Sequence, residues 1–379
     1  MIYLDNAATT FPKPPSVINE VRKCIGTYCG NPGRSSHGLA VKAAEKIFAC
    51  RESISDLFSV GAPERVFFTL NTTYALNTAI KGILRRGDHV VISDMEHNSV
   101  LRPIFRLTKE RVVTYDVFRT HTESSPVAEA ERLIGRKTRL LVCTHCPNLT
   151  SALLPIRELG SLCRRNGVIF VVDAAQSAGH IPIDMEKDNI DILCLPGHKG
   201  LYGIQGCGAV CLAEGIIPDS LVEGGNGINS LEGCMPDFPP ERFEAGTMPT
   251  PAIAALDEGI REIRRIGLDG IRRHEERLFY AFRERLEDLG GIKIYDPDSP
   301  GAVLLFSVDG IPSERVAAHL AKQGICVRGG YHCSALGHRT LGTPSDGAVR
   351  VSFGIFNKAE EADTFISVLS DIRNRTAPD

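Results

Sequence analysis

The sequence contains no apolar run that approaches membrane-spanning length, so a transmembrane helix is not expected. It has no surplus of charge either: 43 Lys and Arg against 46 Asp and Glu leave a formal net charge of -3. A near-neutral surface attracts neither nucleic acid nor an anionic membrane, and neither is expected as a partner. The opening Met-Ile-Tyr-Leu-Asp lacks the basic and apolar regions of a signal sequence, which makes the cytoplasm the expected location. No second cysteine pair at zinc-ribbon spacing accompanies Cys143 and Cys146. Their Cys-x-x-Cys is a weak metal or redox signal, and no metal site is expected. Most of the 12 cysteines lie in apolar runs, where Cys143, Cys194 and Cys211 read as small buried hydrophobes with reduced thiols.

What is present is an ordinary globular composition, 43% hydrophobic and 23% charged over 379 residues, enough for two domains or for one large domain with a smaller partner. The stretch 168–199 organises the rest. Residues 168–172 are β-branched and nearly continuous in apolar character, as a strand buried on both faces should be, and they deliver Asp173 and Gln176 at its carboxyl end. Residues 192–195 do the same for Gly197, His198 and Lys199. In open α/β sheets ligands bind outside the carboxyl ends of strands, so an acid and an amine are placed around one cavity. That pairing suits an aldehyde cofactor with a pyridine ring: the amine condenses with the aldehyde, and the acid keeps the ring nitrogen protonated. The same residues are equally compatible with an acidic strand end and a solvated turn lysine.

Other strand ends carry chemistry too. After strand 66–69 comes Asn71-Thr72-Thr73 at a helix start, where free amides and hydroxyls make an anion site or a plain N-cap. Strand 89–93 leads to Glu96-His97-Asn98, with an imidazole that could stack on a ring or carry protons; strand 139–144 leads to Asn148. Alternating strands and helices over 66–212 predict a largely parallel sheet. Leu278, Phe279, Phe282, Leu286 and Leu289 share one helix face. Strands at 303–308, 325–328 and 348–353 then predict a smaller α+β unit. Its loop 329–338 bears Cys333 near His332 and His338, where an imidazolium would favour the thiolate. Arg350, on the next strand, is placed to grip a carboxylate through two parallel hydrogen bonds.

Taken in order, Leu4-Asp5-Asn6-Ala7-Ala8-Thr9-Thr10, Asn71-Thr72-Thr73, Glu96-His97-Asn98, Asn148, Asp173-Ala174-Ala175-Gln176, Gly197-His198-Lys199, Phe243-Glu244-Ala245-Gly246-Thr247, His332-Cys333 and Arg350-Val351-Ser352-Phe353 resemble the class V aminotransferase-fold enzymes. More narrowly, the chain resembles the cysteine desulfurases and selenocysteine lyases, over nearly its whole length. The resemblance implies an α/β, type I PLP-dependent transferase fold, with a large cofactor-binding domain over 15–250. A smaller α+β domain, from 1–14 and 251–379, would carry the cysteine loop.

It further implies that Lys199 holds pyridoxal 5′-phosphate (PLP), that Asp173 partners the pyridine nitrogen, that Gln176 bonds the ring hydroxyl and that His97 stacks on the ring. Thr72, Thr73 and His198 would bind the phosphate, joined by Thr247 from the other subunit of a homodimer; Asn148 and Arg350 would hold the substrate carboxylate. The implied reaction converts L-cysteine to L-alanine with the sulfur passed to Cys333 as a persulfide, for collection by a docking acceptor protein, since the loop is compact. Selenium release from L-selenocysteine is the alternative, followed by a PLP aminotransferase or a silent sulfur-carrier scaffold. Two departures stand out: Pro196 replaces the serine before Gly-His-Lys, and Cys146-Pro147 replaces the serine before the asparagine.

Overall fold

The computed structural model describes residues 1–33 and 37–376, with side chains through Ile372. The stretch 31–38, whose Asn31-Pro32-Gly33 and Gly38 are turn-forming residue types, therefore lies partly outside the described residues. Seven strands form one sheet in the order Val66–Thr69, Gly208–Leu212, Ile192–Pro196, Ile169–Asp173, Thr138–Thr144, His89–Ser93 and Thr114–Phe118. Only Gly208–Leu212 runs against the others, because the connection 197–207 is shorter than a parallel crossover needs. The remaining strands present their carboxyl ends at one edge.

The strands are apolar at nearly every position because both faces are covered. Phe68, Phe170 and Val172 face one core with Ile54 and Phe58 of helix Gly38–Phe58, Leu159 and Leu162 of Ile156–Asn166, and Ile253, Leu256 and Ile260 of Thr250–Ile266. Phe67 and Val171 face the other, with Leu76 and Ile80 of helix Thr72–Ile83 and Val100 and Ile104 of Asn98–Lys109. Burial of this kind contributes roughly 1.5–3 kcal/mol per large apolar side chain.

A second sheet is antiparallel throughout, in the order Arg328–Gly330, Ala348–Ser352, Val303–Val308 and Ile292–Tyr295. Helix Leu268–Leu289 lays Leu278, Phe279, Phe282 and Leu286 on it, with Leu289 at the margin, the face expected from spacing. Helices Ser313–Lys322 and Glu361–Thr376 complete the layer.

Two local expectations are corrected. The run read as one strand over 325–328 divides at Val327: Ile325–Cys326 pairs in parallel with Ile2–Tyr3, while Arg328–Gly330 joins the antiparallel sheet. The segment read as an open loop over 329–338 turns into a helix, Ala335–Leu341, immediately after Cys333. Among the described residues, no helix is long and apolar enough to cross a membrane.

Backbone packing next to Lys199 depends on glycine. A Cβ on Gly200 would lie 2.4 Å from both the Ala178 carbonyl oxygen and His180 Nε2. Gly200→Ala is expected to lower stability by about 1–3 kcal/mol through overpacking, read as a reduced urea midpoint at unchanged m; an unmoved midpoint would show that this approach is not tight.

Candidate active site

A cavity of about 250 Å³ lies at the carboxyl edge of the large sheet. Asn71, Thr72 and Thr73 reach it from strand Val66–Thr69, Met95, His97 and Ser99 from His89–Ser93, and Thr144, Cys146 and Asn148 from Thr138–Thr144. Asp173, Ala175 and Gln176 come from Ile169–Asp173, and His198 and Lys199 from Ile192–Pro196. Parallel strands bring these residues together: Thr144 pairs with Asp173, and Asp173 with Cys194, in consecutive registers.

The backbone that carries Lys199 is held from the N-terminus. The His198 carbonyl accepts from Thr9 Oγ1 at 3.1 Å, Thr10 N at 3.3 Å and Lys13 Nζ at 2.7 Å, and the Lys199 carbonyl accepts from Thr10 Oγ1 at 2.9 Å. Enclosure lowers the Lys199 pKa to about 8; Arg350 pushes the same way and Asp173 opposes. A substantial fraction of the amine is therefore neutral and nucleophilic near physiological pH. Asp173 is 2% exposed and accepts from Ala175 N at 2.9 Å; burial pushes its carboxyl up, so the site favours a cationic partner for it. Gln176 donates to the Ala7 carbonyl at 3.0 Å.

His97 caps helix Asn98–Lys109: its Nδ1 accepts from Ser99 N at 3.1 Å, so a neutral ring carries its proton on Nε2. Burial, then the charges of Lys199 and Arg350, lower its pKa to about 4. Ser99 Oγ meets Thr73 Oγ1 at 2.8 Å, and Asn71 caps helix Thr72–Ile83 through Tyr74 N at 3.1 Å. The N-cap reading holds, and the N-cap residue and the next two residues also line the cavity.

Arg350, from the second sheet, is 3% exposed. It donates through Nη1 to the Asn148 carbonyl and through Nη2 to Asp5 Oδ1, each at 3.0 Å. Two donors are thus already engaged, and the expected double grip on a carboxylate is reduced to its remaining donors, Nε among them. Three buried polar atoms here have no partner among the described residues: Thr72 Oγ1, Asn148 Oδ1 and Arg350 Nε. Unsatisfied groups of this kind cost stability, and a ligand with an anion at one end and polar groups at the other would satisfy them. Thr72 with the open amides of its helix suits a phosphate, and Asp173 with Lys199 suits a ring cation and an aldehyde, so the residues fit PLP.

Cys333 is exposed and does not line the cavity; its carbonyl accepts from Asn98 N at 2.8 Å, which ties its peptide to the residue after His97. His332 and His338 do not supply the expected positive charge. Burial holds His332 at about 3 and His338 at about 4, so both are neutral at physiological pH. Thr247 lines two other cavities, alongside Glu244 and Met248, rather than this one. Pro196 adds no hydroxyl, and the hydroxyls at the cavity come from Thr72, Thr73, Ser99 and Thr144. Sequence reasoning missed Glu96, which is fully buried, takes hydrogen bonds from Ser93 Oγ and Thr144 N, and is raised to about 8 by burial. Its only signal was adjacency to His97.

A family model described as Aminotransferase class-V matches residues 2–365. A probable cysteine desulfurase of Pyrococcus abyssi is 34% identical, covering 98% of this chain and 94% of that protein. One from Methanothermobacter thermautotrophicus is 31% identical with the same coverage, 98% and 94%. The solved apo structure of a cysteine desulfurase from Thermococcus onnurineus superposes with a TM-score of 0.89 at 32% identity, covering 99% of this chain and 95% of the other.

The neutral histidines make stability pH-dependent. His97, His145 and His198 are lowered to about 4, as is His338. An unfolded histidine takes up its proton near pH ~6.5, so the unfolded state binds more protons between that pH and about 4. Stability should therefore fall as the pH drops through this window. Thermal melts at stepped pH measure it; a melting temperature flat from pH 7 to 4 would contradict the neutral, buried imidazoles.

Proposed function

Given that the chain belongs to the class V aminotransferase family, we propose that its cavity binds PLP and takes sulfur from L-cysteine, leaving L-alanine and a persulfide on Cys333. The observation that carries this reading is one juxtaposition: Lys199 and Asp173 share a cavity with His97, and the peptide of Cys333 is hydrogen-bonded to the residue after His97. A transaminase needs the first half of that arrangement and has no use for the second.

The residue roles are those the resemblance implies. Lys199 would hold the cofactor aldehyde and, when free, would be the base that takes the substrate's α-proton, a role its lowered pKa suits. Asp173 would hold the ring nitrogen, Gln176 the ring hydroxyl, and His97, whose neutral ring carries its proton on Nε2, would cover the ring. Thr72, Thr73 and His198 receive the phosphate, with Thr247 contributed by the second subunit of a homodimer. Asn148 Oδ1 orients the substrate, and the open donors of Arg350 hold its carboxylate. When bound, the cofactor supplies the electron sink that makes the α-proton removable. The Cys333 sulfur then attacks the substrate sulfur: the S–S bond forms as the Cβ–S bond breaks, and Cβ takes a proton to complete alanine. An acceptor protein collects the sulfur from the exposed Cys333.

Two experiments test this. Lys199→Ala should lose the borohydride-stable mass increment of bound PLP. In the wild-type protein freed of cofactor, the rate of PLP capture should rise with pH through about 8 as the amine loses its proton. A pH-independent rate would remove Lys199 from the role. Cys333→Ser should cut alanine formation from L-cysteine by on the order of a hundredfold or more. Selenium release from L-selenocysteine that survives the substitution would identify the selenium substrate as the natural one. Wild-type desulfuration by the variant would refute the proposal.

A further inference from the structure

We propose that His338 is a positioning residue for sulfur transfer: through the ring of His332 it locks the backbone that ties Cys333 to the residue after His97. The inference rests on the reading of Cys333 as the sulfur acceptor. His332 and Cys333 are consecutive non-glycine residues with φ of 51° and 58°, a left-handed conformation that such residues rarely adopt and that surrounding contacts must hold. Part of the hold is peptide: the His332 carbonyl accepts from Asn148 Nδ2 at 2.6 Å, and the Cys333 carbonyl from Asn98 N at 2.8 Å. The remainder is the His332 ring.

His332 Nε2 lies 3.2 Å from the Arg328 carbonyl. A carbonyl only accepts, so Nε2 carries the proton and, in a neutral ring, Nδ1 is bare. His332 Nδ1 lies 3.2 Å from His338 Nε2, which must then be the donor. His338 Nδ1 is in turn bare and meets the Thr343 hydroxyl at 2.8 Å, whose one proton is shared between Nδ1 and the His338 carbonyl at 3.3 Å. One carbonyl thus sets the tautomers of both rings and the direction of the whole chain of hydrogen bonds. The two ring planes are 11° apart, and Tyr331 packs edge-on against His338. Burial keeps both rings neutral, so a single proton lies between His332 Nδ1 and His338 Nε2. His338 is 3% exposed, is absent from the lining of the cavity and sits on helix Ala335–Leu341, so it acts on Cys333 through its neighbours in the chain, with the ring-to-ring hydrogen bond to His332 the contact its side-chain nitrogen makes.

The test compares His338→Leu, which removes the donor, with His338→Gln, whose amide N–H can occupy the place of Nε2. One readout is hydrogen exchange at the Asn98 amide without substrate. It is expected to quicken about tenfold in His338→Leu, on the order of one buried hydrogen bond, and to stay near wild type in His338→Gln. The other is a single turnover of PLP-loaded enzyme with L-cysteine. Persulfide on Cys333, followed by mass, should form about tenfold more slowly in His338→Leu, whereas the first spectral change on adding cysteine keeps its midpoint concentration. Should the leucine variant not fold, Thr343→Val removes the hydroxyl that meets His338 Nδ1 and so loosens the ring, and it should shift both readouts the same way, by about threefold.

Asn98 exchange and persulfide formation at wild-type values in His338→Leu, or in Thr343→Val where it stands in, would overturn the inference. So would a glutamine variant as slow as the leucine one. If the wild-type enzyme forms no persulfide at all, the functional reading fails, and Asn98 exchange still decides whether the lock exists.

Discussion

The enclosure of one amine between an acid and a guanidinium governs this structure. Lys199 is brought toward neutrality by loss of water and by the charge of Arg350, and Asp173 supplies the opposing pull that keeps it from going further. Such a balance needs fixed distances. The backbone on one side of the amine is clasped by Thr9, Thr10 and Lys13, and on the other Gly200 lies against Ala178 and His180 with no room for a side chain. Glu96, buried near Asp173 and raised to about 8, stays largely protonated at neutral pH, which spares the cavity a second negative charge.

The two sheets meet at this balance. Arg350 comes from the antiparallel sheet but spends its donors on Asn148 of the large sheet and on Asp5 of the N-terminal segment, which also binds Arg328 at 2.9 Å. Asn148 in turn holds the His332 carbonyl. Arg350 and the cysteine segment are therefore coupled through one asparagine, with its backbone carbonyl on the guanidinium and its side-chain amide on the His332 carbonyl. Because that segment is tied at both ends and runs straight into a helix, Cys333 has little reach. Its thiol is held at the surface.

Much of this was legible in the linear chain. The buried strands announced themselves by continuous β-branched character, and the helix carrying Phe279 and Phe282 by its three- and four-residue spacing, because local periodicity follows from which faces are covered. The residues ending those strands were legible as site residues because parallel strands must all present their carboxyl ends together. The break at Val327 was not, since the choice between Ile2–Tyr3 and Ala348–Ser352 as partner is made by segments far away in the chain. Nor was Glu96, whose importance is a matter of what surrounds it.

By itself, then, the sequence determined the elements and the sheet edge at which Lys199, Asp173 and His97 meet. Only tertiary structure decided their electrical state. Proximity along the chain suggested that His332 and His338 would bring positive charge to Cys333, but charge on an imidazole depends on water, and burial removes it. The hydrogen-bond capacity left to Arg350 was likewise settled by Asp5, which lies 345 residues away and is brought within 3.0 Å only by the fold. Residue types can be read from a string, whereas solvation and neighbouring charge are properties of three-dimensional packing.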